Sequence, residues 1–253
     1  MRKLQTLLST LAVVGLAACG TKEAPSGLEP TGPTGRVRFV NLINDATRVP
    51  VNPILEGLPW GAGVGYGQAT PAVQPAPATA SYSAIYVGAR TLILKKTADT
   101  TVTVATIPLT ITENQDLTVY ATAGAAGAAP TITTTTDDNT APATGQVRFR
   151  VANMSPAAGA VDVFVTAAGA DLSTATPTFA NVAVRTASAY VALPTGSYQI
   201  RVVPAGTAAG ARAGAVSLNI AAATYAAGTV RTIVVEDRAA GGAPLAGTVL
   251  TDR

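Results

Sequence analysis

Tyr190-Val191-Ala192-Leu193-Pro194-Thr195-Gly196-Ser197-Tyr198-Gln199-Ile200-Arg201-Val202-Val203 is the stretch that decides the fold of this chain. Two runs rich in β-branched and aromatic residues flank Pro-Thr-Gly, and the glycine supplies the positive φ that a hairpin turn demands. The same period of two recurs elsewhere. Val37, Phe39, Asn41 and Ile43 alternate with Arg38, Val40 and Leu42; Val161, Val163 and Val165 alternate with Asp162 and Phe164; Thr101, Thr103 and Ala105 alternate with Val102, Val104 and Thr106. Such alternation puts successive side chains on opposite faces of a strand. Charged residues are only 12% of the chain, so long amphipathic helices lack their usual Glu, Lys and Arg.

The strand runs come in two sets. Gly35-Arg36-Val37-Arg38-Phe39 returns as Gly145-Gln146-Val147-Arg148-Phe149, and Val51-Asn52-Pro53-Ile54-Leu55 as Val161-Asp162-Val163-Phe164-Val165. Downstream, Tyr82, Gly88 and Leu92 match Tyr190, Gly196 and Ile200; Leu109-Thr110-Ile111 matches Leu218-Asn219-Ile220; Thr118-Val119-Tyr120 matches Thr232-Ile233-Val234; Asp138 matches Asp252. A period of about 110 residues suits tandem domains rather than a solenoid unit. The expected fold is all-β: two tandem antiparallel β-sandwich domains, immunoglobulin-like in architecture, over residues 35–138 and 145–253, joined by a linker at 139–144. Pro53 predicts that its strand lies at a sheet edge.

The N-terminus carries a different message. Arg2 and Lys3 precede an apolar run that ends in Leu16-Ala17-Ala18-Cys19, the elements of a bacterial lipoprotein signal peptide. Residues 1–18 are expected to be removed and Cys19, the one cysteine, to be lipidated. The run is shorter and more polar than a membrane span requires. Residues 19–34, rich in Pro, Gly and Thr, read as a flexible tether. The expected location is the cell envelope, lipid-anchored. Gly20 in place of Asp favours the outer membrane if the cell is Gram-negative, facing either the periplasm or the surface.

Composition excludes much chemistry. Histidine is absent, so catalytic triads, general-base histidines and the usual zinc, copper or haem ligands are ruled out, and no cofactor or metal is expected. Of the 17 Lys and Arg, Arg2 and Lys3 leave with the signal peptide, so 15 stand against 14 Asp and Glu. That balance has no polyanion footprint, and nucleic acid is not expected as a partner. Asp137 and Asp138 are adjacent, so on a strand they point to opposite faces and cannot flank one bond; they read as a solvated domain end. Asp162, answered by Asn52 in the first repeat, reads as a surface or turn-bonding residue. Gly61-Ala62-Gly63-Val64-Gly65-Tyr66-Gly67 fails the spacing of a nucleotide-binding loop. It does bring Trp60 and Tyr66 beside a glycine-rich segment, and these two are the candidate ligand-binding residues, against the alternative that Trp60 plugs the sandwich.

Arg150-Val151-Ala152-Asn153-Met154-Ser155-Pro156-Ala157-Ala158-Gly159-Ala160-Val161-Asp162-Val163-Phe164-Val165 resembles the opening signature of the domain of unknown function 4397 family, and Leu193-Pro194-Thr195-Gly196-Ser197-Tyr198 resembles its second. The first repeat carries the pattern more weakly, through Arg38-Phe39-Val40-Asn41, Asn44-Asp45 and Asn52. The histidine of the family pattern is Asn41 in one repeat and Asn153 in the other. The resemblance implies secreted or surface-attached bacterial β-sandwich modules, often in tandem, with no established activity. The expected function is therefore that of a non-enzymatic envelope lipoprotein, attached to the membrane through Cys19, with a protein or polysaccharide ligand. The alternatives are a structural or assembly subunit whose sheet edges pair with another protein, and a hydrolase using only carboxylates.

Overall fold

The computed structural model describes residues 32–71, 82–124, 128–241 and 244–253. The signal sequence, Cys19 and most of the tether therefore lie outside the described residues. Among those described, helix is confined to two 3₁₀ segments, Pro156–Ala158 and Ala209–Ala215. No helix there is long and apolar enough to cross a membrane. Everything else regular is strand.

The first set is β1 (Thr34–Leu42), β2 (Val51–Leu55), β3 (Leu58–Pro59), β4 (Gln68–Thr70), β5 (Ser83–Tyr86), β6 (Gly88–Lys96), β7 (Asp99–Ile111), β8 (Asp116–Thr122) and β9 (Thr131–Asp137). One sheet runs β4-β1-β8-β9, with β5 beside β4 on the same edge of β1; the other runs β3-β2-β6-β7. The second set is β10 (Gln146–Asn153), β11 (Val161–Thr166), β12 (Phe179–Val182), β13 (Thr186–Ala187), β14 (Val191–Pro194), β15 (Gly196–Pro204), β16 (Leu218–Tyr225), β17 (Val230–Glu236) and β18 (Ala246–Thr251). Its sheets run β13-β10-β17-β18, with β14 also on β10, and β12-β11-β15-β16. The two sets thus share one strand order. Pairing is antiparallel except for β1 with β8 and β10 with β17, which are parallel.

Each pair of sheets encloses a core built from one face of the alternating strands. Val37, Phe39, Val119 and Ala121 pack against Val51, Leu92, Leu94, Ile107 and Leu109. Val147, Phe149, Val151, Ile233 and Val235 pack against Val161, Val163, Ile200 and Val202, with Phe149 edge-on to Tyr225 at 4.8 Å. The opposite face of β1 is buried as well: Val40 and Leu42 join Ala69, Tyr120, Ala152, Met154, Val234 and Leu250 in a third cluster drawn from both sets. The two sandwiches therefore meet face to face along a seam between the β1 sheet and the β10 sheet. Burial on both faces explains why Val40 and Leu42 in β1 and Ala152 in β10 are apolar although they point away from the sandwich cores.

Three details depart from the sequence expectations. Pro194-Thr195-Gly196 is not a hairpin turn, because β14 pairs with β10 while β15 pairs with β11 and β16 in the facing sheet, and Gly196 is not among the residues at positive φ. Pro53 is not on an edge strand, because β2 pairs with β6 along its length and with β3 on its other side. The Pro53 carbonyl accepts from Trp60 N at 2.9 Å on the β3 side, and its missing N–H lies on the same side, where the Trp60 carbonyl accepts from Thr70 Oγ1 instead. The internal repeat also aligns differently. Strand pairing makes Arg36 equivalent to Arg148 and Arg38 to Arg150, two residues from the sequence match, and Asp137 rather than Asp138 equivalent to Asp252. Gly88 pairs with Ile111 and Gly196 with Tyr225, so Ile111 answers to Tyr225 and not to Ile220. At the opening strands the shift of two keeps every side chain on its own face, so hydrophobic pattern alone does not detect it there.

Candidate functional site

The seam collects the buried arginines of the described residues and three of their buried carboxyl groups, Asp137, Asp252 and Glu236. Strand alternation sends Arg38 and Arg150 away from the sandwich cores and into the contact, where each is 1 to 2% exposed. Arg38 donates through Nε and Nη2 to Thr118 Oγ1, through Nη1 to the Thr251 carbonyl at 3.0 Å, and through Nη2 to Asp252 Oδ1 at 2.8 Å. Arg150 repeats the pattern with Thr232 Oγ1 at 2.8 Å, the Thr136 carbonyl at 3.0 Å and the Asp137 carboxylate. Thr118 donates in turn to Asp137, and Thr232 to Asp252. Two tyrosines close the ring from outside. Tyr82 lies under the Arg38 guanidinium at 4.5 Å and donates to Asp137 Oδ2 at 2.7 Å; Tyr190 lies under Arg150 at 4.9 Å and donates to Asp252 Oδ2 at 3.2 Å. Burial opposes the charge on both guanidiniums, yet the aspartates and tyrosines around them outweigh it and raise both above the ordinary arginine value. Burial likewise pushes the Tyr82 and Tyr190 hydroxyls up.

Asp116, Asp162 and Glu236 are buried carboxyls outside this ring, and Glu236 is the one in the seam. Glu236, on the seam face of β17, is 3% exposed and accepts from Thr248 Oγ1 at 3.1 Å. Burial pushes it up to about 7, Asp237 adds to the rise, and Thr248 and Tyr66 favour the charged form without reversing it. Tyr66 reaches this carboxyl from the other sandwich, although its Oη and Glu236 Oε2 do not meet ordinary hydrogen-bond geometry. Gly63 and Gly67, both at positive φ, shape the loop that presents Tyr66, and Gly67 N is anchored to the Asn41 carbonyl at 2.8 Å.

Beside this contact the seam opens into a cleft of about 500 Å³. Gly61, Ala62, Val64 and Gln68 wall it from the first sandwich, Thr248 and Leu250 from the second. Small side chains on the loop leave the space, and both sandwiches are needed to enclose it. A second, polar recess holds Arg36, Asp116, Asp138 and Asn139. Its groups are paired among themselves or with neighbours: Arg36 bridges Asp116, Asn139 donates to Asp116, and Arg148 bridges Asp138 at 2.6 Å. Hydrogen bonds from Arg148 and Thr140 hold the Asp138 carboxyl well below the usual carboxylate range. Among the described residues no group of three potential metal ligands gathers.

The sequence candidates fall as follows. Trp60 is half-buried against the first core, with Nε1 donating to Ser83 Oγ at 2.8 Å and its carbonyl accepting from Thr70, so its ring packs and does not wall the cleft. Tyr66 lies in the seam next to the cleft. Cys19 is outside the described residues. Asp137, read from sequence as a solvated end, is instead 5% exposed at the centre of the ionic ring, while its neighbour Asp138 stays at the surface. Asp162 bonds turns, accepting from Asn181 N and Gly206 N, and Asn52 does the same for Gly63 N. Asn41 and Asn153, at the family's histidine position, are likewise bonded to backbone. The arginine ring and Glu236 were not singled out in the sequence. The one available signal was arginine inside an otherwise apolar run, Val37-Arg38-Phe39-Val40 and Phe149-Arg150-Val151-Ala152, where an exposed face would tolerate many residues and a buried one needs a partner.

Among the described residues these features define an all-β protein of paired sandwiches joined by an ionic seam, with a cleft opening on that seam. The chain belongs to the family described as a domain of unknown function, DUF4397, whose model matches residues 35–164, from the first strand of the first sandwich into β11 of the second. No curated protein matches it. Among solved structures, it is similar to a leucine-rich repeat protein from Bacteroides thetaiotaomicron at 13% identity and a TM-score of 0.22, covering 79% of this chain and 26% of that one. It is also similar to the Bacillus anthracis TIE protein at 8% identity and a TM-score of 0.23, covering 87% of this chain and 44% of that one. The chain thus spans less than half the length of either.

Proposed function

We propose that this is a non-enzymatic envelope lipoprotein of two tandem sandwich modules, held to the membrane by a lipid on Cys19 and binding a protein or polysaccharide through the seam cleft. The cleft is the observation that carries the reading, because it is concave, mostly apolar and bordered by a glycine-rich loop that leaves room for a ligand backbone. The absence of histidine and the pairing of Asp116, Asp137, Asp138 and Asp252 with arginines leave few groups free for acid-base work, which favours binding over hydrolysis. The lipidation signature at Cys19 supports the location.

Filling the cleft tests the binding reading. Parent protein and Ala62→Trp are immobilised and challenged with peptidoglycan fragments, envelope polysaccharide and detergent-solubilised envelope proteins. Retention by the parent that falls at least about tenfold, near 1.4 kcal/mol, in Ala62→Trp supports it. Equal retention by both, or none by the parent, defeats it. In the same cells, Cys19→Ser should abolish labelling by a fatty-acid analogue; labelling that persists defeats the anchor.

A further inference from the structure

The seam has two-fold form within one chain. Register makes Arg38, Thr118, Thr136 and Asp137 equivalent to Arg150, Thr232, Thr251 and Asp252, and Tyr82 equivalent to Tyr190. Each arginine crosses to the threonine carbonyl and the aspartate of the opposite sandwich. What the first sandwich offers is therefore what the second offers in return, the isologous pattern by which two copies of one chain recognise each other. The linker takes no part in the ring. Asp138 bonds Arg148 and Asn139 bonds Asp116, both outside it. Nothing in the recognition requires that the two faces belong to the same molecule.

We propose that two copies of this chain pair by exchanging sandwiches, the first sandwich of each closing its seam on the second sandwich of the other. The product is a closed dimer with two complete seams, because each chain carries one face of each kind and reciprocal exchange between two chains leaves neither free.

Unlike faces are selected over like ones by two residues that break the symmetry. Register places Glu236 where the first sandwich has Thr122. Gly67 N and Arg185 N donate to the equivalent carbonyls of Asn41 and Asn153 at 2.8 and 2.7 Å, which places Tyr66 where the second sandwich has Val184. Glu236 therefore meets a tyrosine hydroxyl only when a second sandwich closes on a first. Two second sandwiches would set its carboxyl against valine, without the polar hydroxyl of Tyr66 beside it. Exchange keeps the Glu236 and Tyr66 contact in both seams, whereas pairing of like sandwiches forfeits it.

The test uses the full chain carrying Cys19→Ser, made with two different affinity tags. The two are mixed in denaturant and refolded together over a range of concentrations. Exchange predicts that one tag co-purifies the other, in a species of twice the chain mass by light scattering whose fraction rises with refolding concentration. Deleting Ala141 to Thr144 shortens the linker so that a sandwich is hindered from folding back on its own chain, and should shift the protein to dimer even when dilute. Arg38→Asp should abolish co-purification, and Asp252→Asn serves the same purpose if that variant does not fold. Absence of co-purification at every concentration together with a monomeric deletion variant overturns the proposal. A dimer that survives loss of the ring also overturns it, because the contact would then lie elsewhere.

Discussion

Replacing Glu236 by Gln should make the protein more stable at neutral pH. The carboxyl titrates near 4.5 in an unfolded chain and is pushed up to about 7 in the seam, mainly by burial. A group whose folded value lies above its unfolded one holds its proton more tightly when folded, so stability falls as pH rises from 4.5 to about 7 and is level above that. The span amounts to about 3 kcal/mol at pH 8, at about 1.4 kcal/mol for each pH unit. Glutamine keeps the size, can still accept from Thr248 and needs no proton, so it sheds this penalty. Urea unfolding followed by circular dichroism at pH 5 and pH 8 measures both chains. The parent should lose about 2 to 3 kcal/mol relative to the variant between those pH values, and the variant should be the more stable at pH 8. Asp138 and other carboxyls held below their ordinary values lose their contributions only at lower pH, which leaves this window to Glu236. A variant that is less stable than the parent at pH 8, or a gap that does not change with pH, would refute the reasoning.

Truncating Arg38 to Ala strands Asp252 in the seam and should cost about 3 to 5 kcal/mol in urea unfolding, whereas Arg36→Ala, whose side chain is half exposed, should cost under about 1 kcal/mol; equal losses would mean the ring is not a buried ionic contact. Trp60→Ala removes a packed ring and its bond to Ser83, so it should destabilise the protein by about 2 to 4 kcal/mol while leaving retention of any cleft ligand on the folded protein within about twofold; a stable variant with lost retention would return Trp60 to the binding surface.

The strands were legible because alternation is a local signal. Val161, Val163 and Val165 face the core in sequence pattern and in structure alike, whereas Pro194-Thr195-Gly196 separates two strands as expected but carries the chain from one sheet to the other instead of closing a hairpin. The pairing of the strands was less legible. β1 and β8 lie side by side although 80 residues separate Arg36 from Asp116, and no residue in either strand names its neighbour. For the same reason the repeat was matched two residues out of step at its opening, since Val37 and Phe39 are interchangeable under a period of two.

The site was least legible because its meaning depends on what covers a face. Arg38 on an exposed sheet face would be an ordinary surface residue, and Asp137 an ordinary loop acid; each is buried only because the other sandwich lies over it. Charge in a sequence is normally evidence of solvent, and here it inverts once two faces of the same composition meet. The Asp137-Asp138 pair shows how narrow the margin is. Adjacent and chemically identical, they point to opposite sides, so Asp137 enters the ring with Arg150 while Asp138 bonds Arg148 at the surface. What identifies the buried member is that it recurs at Asp252 in company with an arginine, a threonine and a tyrosine that recur with it. A four-residue set repeated across two domains at one face constrains contact between them more strongly than any one of its residues does, because each member answers to a different partner and the set is satisfied only when the faces close.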